Sequence, residues 1–190
     1  LKTTDVFNQY VDIATLGTIA DVVPLLGENR VIVDKGLKIL HNPKRIGIRA
    51  VMEVAGVLDK PLNASTIAFS IAPRLNAAGR LGSAATAVEL LLTNDESRAR
   101  ELALLLDTEN KERQQTERQI FDEALELIAK DPNFEKKKVI VLAQENWHQG
   151  VIGIVASRLC DMYYKPCILI SHTNGVGKGS GRSIKGFNLF

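Results

Sequence analysis

Near the end of the chain, Gly175-Val176-Gly177-Lys178-Gly179-Ser180-Gly181-Arg182-Ser183-Ile184-Lys185-Gly186 interleaves glycines with lysine and arginine. Glycine lacks a Cβ and tolerates positive φ, so its N–H groups can come close to an anion, while the cations supply countercharge. The chemistry on offer is phosphate binding. The same composition suits a plain hairpin turn, and the segment alone leaves both open. A second cluster, Ala72-Pro73-Arg74-Leu75-Asn76-Ala77-Ala78-Gly79-Arg80-Leu81-Gly82, sets two arginines and an asparagine among small residues that expose the backbone. It lies just ahead of a helix expected to start near Ser83. Arginine offers a planar, permanently charged fork to phosphate, and a helix start adds N–H donors. For Arg74 and Arg80 the competing reading is an ion pair with a carboxylate of their own domain.

Other candidates are thinner. Asp21 follows an apolar helix and precedes Pro24, where a carboxylate can face a cleft or cap a turn; spacing favours the turn. Trp147-His148-Gln149-Gly150 leads into a helix, so His148 can meet a ligand or cap that helix. His41, His148 and His172 are scattered, with no HExxH or His-x-His metal signature. Gly177-Lys178-Gly179-Ser180 lacks the spacing and following helix of a Walker A loop, and no GxSxG elbow occurs. Cys160 and Cys167 suit neither a disulfide framework nor a CxxC clamp and read as buried small hydrophobes.

Helices must position these groups. Helical spacing covers Asp5–Ala20, Val31–Leu40, Ile48–Ala55 and Ala64–Ile71, punctuated by Asn42-Pro43, Gly47, Gly56 and Pro61. Thr93-Asn94-Asp95-Glu96 reads as a capping box, after which no Gly or Pro appears until Pro132. A helix filling most of that interval is about 50 Å long at about 1.5 Å per residue. Asp107–Gln119 holds no apolar side chain, which suits a bridge between domains; a bundle helix broken near Asn110 is the alternative. Lys138–Ala143, Gly150–Tyr164 and Cys167–Ile170 read as strand, helix and strand, a right-handed βαβ unit with the glycine-rich segment at or beside the sheet edge.

Composition excludes several classes. With 45% hydrophobic and 24% charged residues the chain is neither disordered nor fibrous. Its longest apolar runs, such as Val139–Ala143 and Cys167–Ile170, are far too short to span a bilayer, so the expected location is cytoplasmic with no membrane partner. Charge is lopsided: residues 136–190 hold eight Lys/Arg against two Asp/Glu, a net +6, and residues 1–135 hold 16 against 20, a net −4. The basic end is the expected polyanion face.

Four segments in order carry a resemblance: Leu16-Gly17-Thr18-Ile19-Ala20-Asp21-Val22-Val23-Pro24-Leu25; Pro73-Arg74-Leu75-Asn76-Ala77-Ala78-Gly79-Arg80-Leu81; Trp147-His148-Gln149-Gly150-Val151-Ile152-Gly153-Ile154-Val155-Ala156-Ser157-Arg158-Leu159; and Gly179-Ser180-Gly181-Arg182-Ser183. Together they resemble the RecJ-type single-strand-specific exonucleases of the DHH phosphoesterase superfamily. The resemblance implies a helix-rich α/β chain in three parts. These are the end of a DHH catalytic domain with its following helices over 1–82, a helical connector over 83–135, and a truncated DHH-associated nucleic-acid-binding domain over 136–190. It implies metal-dependent 5′→3′ hydrolysis of single-stranded DNA in repair and recombination, using Mn²⁺ or Mg²⁺ in pairs. Single-stranded DNA is the implied partner, with a single-strand-binding protein as a further one.

By the same resemblance Asp21 becomes a catalytic metal ligand, against the turn reading. Arg74, Asn76 and Arg80 lie near the strand to be cut, and Ser180 and Arg182 belong to the nucleic-acid-binding motif. Arg158, Gln114, Gln115 and His148 are weaker candidates for lining the DNA path. The DHH triplet, the upstream aspartate motifs and a GGH-like motif are absent from these residues, so the chain alone is expected to be inactive. Two other classes stay open: a DHH-family phosphodiesterase of oligonucleotides or cyclic dinucleotides, and a nucleic-acid-binding module without catalysis.

Overall fold

The computed structural model describes residues 3–189, with side chains from Asp5 onward. Leu1, Lys2 and Phe190, which include the outer limits of the first and last expected domains, lie outside the described residues. The chain forms two compact units, the first closing at Lys111 and the second opening at Glu112.

The first unit is helical: α1 (Thr3–Ala20), α2 (Gly27–Leu40), α3 (Ile46–Val54), a short α4 (Ala64–Thr66), a π-helical turn (Ile67–Ile71), α5 (Ala72–Leu81), α6 (Ala84–Leu92) and the first half of α7 (Glu96–Ala129). Its core gathers Leu16 and Ile19 of α1, Leu40, Ile48, Val51 and Met52, Ile67 and Ile71, Leu90, and Leu102 and Leu106 of α7. Two glycines let helix backbones approach. A Cβ on Gly36 would lie 1.8 Å from the Thr15 Oγ1, and one on Gly47 would lie 1.7 Å from the Leu90 carbonyl oxygen. The Thr15 hydroxyl donates to the Ile32 carbonyl at 3.0 Å, which satisfies a hydroxyl buried between α1 and α2.

The helix expected over Ala64–Ile71 does not stop there. It continues as α5 to Leu81, so Ala72–Leu81 is helix, and its backbone is not exposed in the way its small residues suggested. Asn63 caps the start, its side-chain oxygen accepting from the Thr66 N–H at 2.9 Å. Pro73 has no N–H and its ring crowds the carbonyl one turn back. The helix absorbs this by widening to π geometry over Ile67–Ile71, immediately before the proline. Ser83 then caps α6, as the sequence suggested, with its hydroxyl accepting from the Ala85 N–H.

The long helix is unbroken over 34 residues. Its cap differs from the expected box: Asp95 accepts from the Arg98 N–H at 2.9 Å, and Thr93 Oγ1 accepts from the Asp95 N–H at 3.1 Å. Its polar middle is not a solvated bridge throughout, because Asp107 and Asn110 are buried within the first unit. Beside the three-part division expected from sequence, the two units divide inside α7. The apolar cluster of its first half joins the first core, and Ile120, Phe121, Ala124 and Ile128 are buried in its second half.

In the second unit, a 3₁₀ turn (Phe134–Lys136) leads into β1 (Ile140–Glu145), α8 (Ile152–Tyr163), β2 (Cys167–Thr173) and β3 (Val176–Arg182). β1 and β2 are parallel through the α8 crossover, and β3 lies antiparallel on β2. Asn174 and Gly175, at φ +52° and +78°, make the tight hairpin turn that positive φ at both central positions requires. The glycine-rich segment is therefore an edge strand entered through a hairpin turn, at the sheet edge where the sequence reading put it. Gly177, Gly179 and Gly181 share one face, and Lys178, Ser180 and Arg182 the other, opposite Ser171, Leu169 and Cys167. Both cysteines are buried, and burial pushes the Cys167 thiol up to about 12.

Candidate nucleic-acid interface

In the first unit, Asp21, Asn76 and Arg80 line one cleft of about 570 Å³, together with Gly17, Ala20 and Gly79. The geometry follows from helix periodicity. Gly17 and Ala20 near the end of α1 and Asp21 just past it stand at i, i+3 and i+4, and Asn76, Gly79 and Arg80 stand at i, i+3 and i+4 on α5. Each helix thus presents one face of small residues plus polar tips. A Cβ on Gly17 or Gly79 would meet no atom within 4 Å, so neither glycine is needed for helix packing; both keep the cleft open. The i, i+3, i+4 match was visible in the sequence as two small-and-polar triplets, and Gly17, Ala20 and Gly79 are the lining residues that motif reading passed over.

Asp21 sits just past α1, its N–H donating to the Gly17 carbonyl at 3.0 Å, with Val22 following at φ +56°. A β-branched residue in the left-handed region is an outlier that costs on the order of 1–3 kcal/mol. The turn that carries Asp21 outward is therefore held against a local preference. Asp21 thus stands at the end of the helix and lines the cleft.

Arg74 is placed differently. Its Nε and Nη2 both donate to Asp107 Oδ1 at 2.9 Å, its Nη1 donates to the Ser70 carbonyl, and it does not line the Asp21 cleft. The ion-pair alternative is the one seen. Burial pushes the Asp107 carboxyl up, but hydrogen bonding to Lys111 and the charges of Arg74 and Lys111 outweigh it and hold it below the ordinary carboxylate value.

In the second unit, Ser180 and Arg182 meet the start of α8. A Cβ on Gly153 would lie 2.8 Å from Ser180 Oγ and 3.1 Å from Arg182 Nη2, so only glycine leaves these groups where they are. Arg182 Nη1 donates to Ser180 Oγ at 3.3 Å and to the Gly181 carbonyl at 2.7 Å, which folds the guanidinium back over the strand. An exposed arginine, a hydroxyl and the N-terminal turn of a helix then converge, an arrangement suited to a phosphodiester. Gly153 is a further positioning residue that motif reading carried along without a role.

The remaining candidates are structural in what they touch. His148 accepts from the Gly150 N–H through Nδ1 at 3.1 Å, which makes it the cap of the turn into α8. Trp147 is buried and donates to Glu123 at 2.7 Å. Arg158 pairs with Glu117 at 3.0 Å and stacks on Phe121 with its guanidinium 3.9 Å from the ring centroid. Glu117 is shared with Arg113 at 2.8 Å. Gln114 is half-buried and Gln115 exposed on α7.

As a metal centre the first cleft is incomplete. Asp21 is its lining carboxylate, and among the described residues no group of three His, Cys, Asp or Glu could hold an ion. The residues present supply a single carboxylate and do not fit a paired-ion site.

Residues 136–190 match the DHHA1 domain family. Over 185 residues the chain is 43% identical to the single-stranded-DNA-specific exonuclease RecJ of Bacillus subtilis, covering 96% of this chain and 23% of that protein. It is 39% identical over 188 residues to the RecJ of Escherichia coli, covering 95% of this chain and 32% of that protein. A crystal structure of Thermus thermophilus RecJ in complex with Mg²⁺ superposes with a TM-score of 0.83 at 39% identity, covering 96% of this chain and 28% of that one. A structure of exonuclease RecJ bound to manganese gives 0.80 at 39% identity, covering 96% and 44%. The chain thus spans between 23% and 32% of the length of these two curated relatives. The resemblance read from four motifs holds across nearly the whole chain, and the helix-rich α/β fold is shared with these structures.

Proposed function

We propose that this chain is a segment of a RecJ-like, metal-dependent exonuclease that removes nucleotides from single-stranded DNA in the 5′→3′ direction, in DNA repair and recombination. The observation that carries the reading is the joining of Asp21, Asn76 and Arg80 in one cleft, with Arg80 able to pair a phosphate and the Asn76 amide able to donate to its oxygens. Mn²⁺ or Mg²⁺, when bound, would polarise the phosphodiester and activate water. The part of this chain's residues in that chemistry is limited. Asp21 would supply a carboxylate to the ions, and the residues of this chain do not by themselves complete such a site. Ser180 and Arg182 grip the strand backbone, with Gly153 setting their position. Arg74 acts by fixing α5 on α7 through Asp107. Arg158, Gln114, Gln115 and His148 serve as flanking residues of the strand path.

The 190-residue chain alone therefore binds single strands weakly and does not cut them. A cytoplasmic location fits the finding that, among the described residues, no helix is long and apolar enough to cross a membrane. A single-strand-binding protein is the proposed protein partner. The test compares the longer nuclease on a 5′-labelled single strand, the matching duplex and a dinucleotide, with Mn²⁺. Preferential shortening of the single strand is expected. Preference for the dinucleotide would put the oligonucleotide phosphodiesterase reading in its place, and turnover by the 190-residue chain would refute the division of labour.

A further inference from the structure

Trp147, in the turn that joins β1 to α8, is the only tryptophan of the chain and is 4% exposed. A buried indole needs an acceptor for its N–H. It finds one on α7, where Glu123 Oε2 accepts from Trp147 Nε1 at 2.7 Å. The other oxygen of that carboxylate, Oε1, accepts from Gln119 Nε2 at 2.9 Å, one helical turn earlier. With both oxygens engaged, the half-buried carboxylate is held in one orientation.

The turn around Trp147 is fixed at its other residues too. Asn146 takes φ +62°, and its N–H donates to the His172 carbonyl of β2 at 3.3 Å. The His148 carbonyl accepts from the Val151 and Ile152 N–H groups at 2.9 and 3.1 Å, and its ring accepts from the Gly150 N–H. From Glu123 a continuous series of hydrogen bonds and chain neighbours thus runs to the first turn of α8, where Gly153 lies beneath Ser180 and Arg182. The body of the helix is held separately. Val155, Ala156 and Leu159 are buried, and Arg158 pairs with Glu117 and stacks on Phe121. Two carboxylates of α7 therefore have different duties: Glu117 holds the body of α8, and Glu123 holds its entry turn.

We infer that Glu123, acting through Trp147, is a positioning residue for the strand grip, setting the entry turn of α8 so that Gly153 leaves Ser180 and Arg182 in place for a phosphodiester. This role rests on the reading of Ser180 and Arg182 as that grip. The charge of Glu123 has the wrong sign to attract a strand. Removing a carboxylate from a region of net charge +6 by itself strengthens binding to a polyanion. Positioning predicts the opposite sign, which separates the two effects.

The test is anisotropy of a labelled oligo-dT at low salt against the 190-residue chain, with a melting curve and acrylamide quenching of tryptophan emission for each folded variant that keeps Trp147. Glu123→Ala is expected to weaken binding by about 2- to 30-fold, the range for a residue that acts on a site through intermediates, and to increase quenching of Trp147. Glu123→Gln retains an acceptor for the indole N–H without the charge, and is expected to recover most of the affinity. Trp147→Phe removes the N–H and keeps most of the apolar bulk, so it should match Glu123→Ala, and both changes together should cost no more than either alone. Should these variants fail to fold, Gln119→Ala, which only frees the carboxylate to turn, is expected to weaken binding by about 2-fold or more, and an unchanged affinity there overturns the role. Affinity unchanged or raised in Glu123→Ala, with Arg182→Ala weakened, refutes the positioning role and leaves the grip standing. Equal losses in Glu123→Gln and Glu123→Ala trace the effect to charge and overturn the role as well. Wild-type affinity in Arg182→Ala, or no binding of oligo-dT at all, refutes the grip and the positioning role with it.

Discussion

Replacing Arg74 with alanine removes a guanidinium that reaches Asp107 through two nitrogens at 2.9 Å and also holds the Ser70 carbonyl. Side-chain exposures of 16% for Arg74 and 9% for Asp107 make this a largely buried pair, for which loss of one partner costs about 3–5 kcal/mol. Asp107 keeps Lys111 at 2.7 Å, a cation 73% exposed, so the carboxylate is not stranded. The expected loss is thus about 2–3 kcal/mol, or about 5–10 °C in melting temperature for a chain of this size. Arg74→Lys should recover only part, because one ammonium cannot serve both acceptors. Acid supplies the check on mechanism. The Asp107 carboxyl lies below its ordinary value when folded, so its stabilisation is full above the unfolded pKa of about 3.9 and fades as pH falls through the folded value. The gap between wild type and Arg74→Ala should therefore narrow below about pH 4. Urea melts followed by circular dichroism measure it, and hydrogen exchange over residues 64–81 localises it. An unchanged melt with lost DNA affinity would refute the structural role and return Arg74 to the DNA contacts.

Gly47→Ala drives a Cβ to 1.7 Å from the Leu90 carbonyl, a rigid obstacle, and should cost on the order of 1–3 kcal/mol or prevent folding, read by thermal melting. Gly153→Ala meets instead the mobile ends of Ser180 and Arg182, so it should leave the melt nearly unchanged while weakening oligo-dT affinity in an anisotropy titration. Val22→Gly relieves a left-handed β-branched residue worth about 1–2 kcal/mol. After the added flexibility of the unfolded chain, of about 0.5–1 kcal/mol, it should still be neutral to stabilising by differential scanning calorimetry.

The helices α1, α2 and α3 and the βαβ unit were legible from apolar patterning with Gly and Pro at their ends, and the long α7 from a start signal followed by an interval without Gly or Pro. Three features were not. Ala72–Leu81 was given no element, since helical spacing was read only to Ile71 and the next helix from near Ser83; the π turn ahead of Pro73 has no signature in one sequence. The glycine-rich strand β3 has almost no strand-forming side chains, and its conformation is imposed by pairing along β2 and the Asn174-Gly175 turn. The middle of α7 reads as solvated because it is polar, yet Asp107 is buried with Arg74, which lies far from it in sequence. The same limit applies to the candidate site. Motifs named Asp21, Asn76, Arg80, Ser180 and Arg182, but only folding separates Arg74 from that cleft and sets Gly153 beneath Ser180 and Arg182.

The most direct measurement is of Asp21→Ala in the longer nuclease proposed to contain this chain, pairing turnover of a 5′-labelled single strand with anisotropy on the same strand. On the proposed role of Asp21 as a metal ligand, turnover should be abolished, while the proposed Arg80 and Ser180–Arg182 contacts keep strand affinity largely intact. Turnover that survives Asp21→Ala would contradict the assignment of this cleft to the chemistry of cutting.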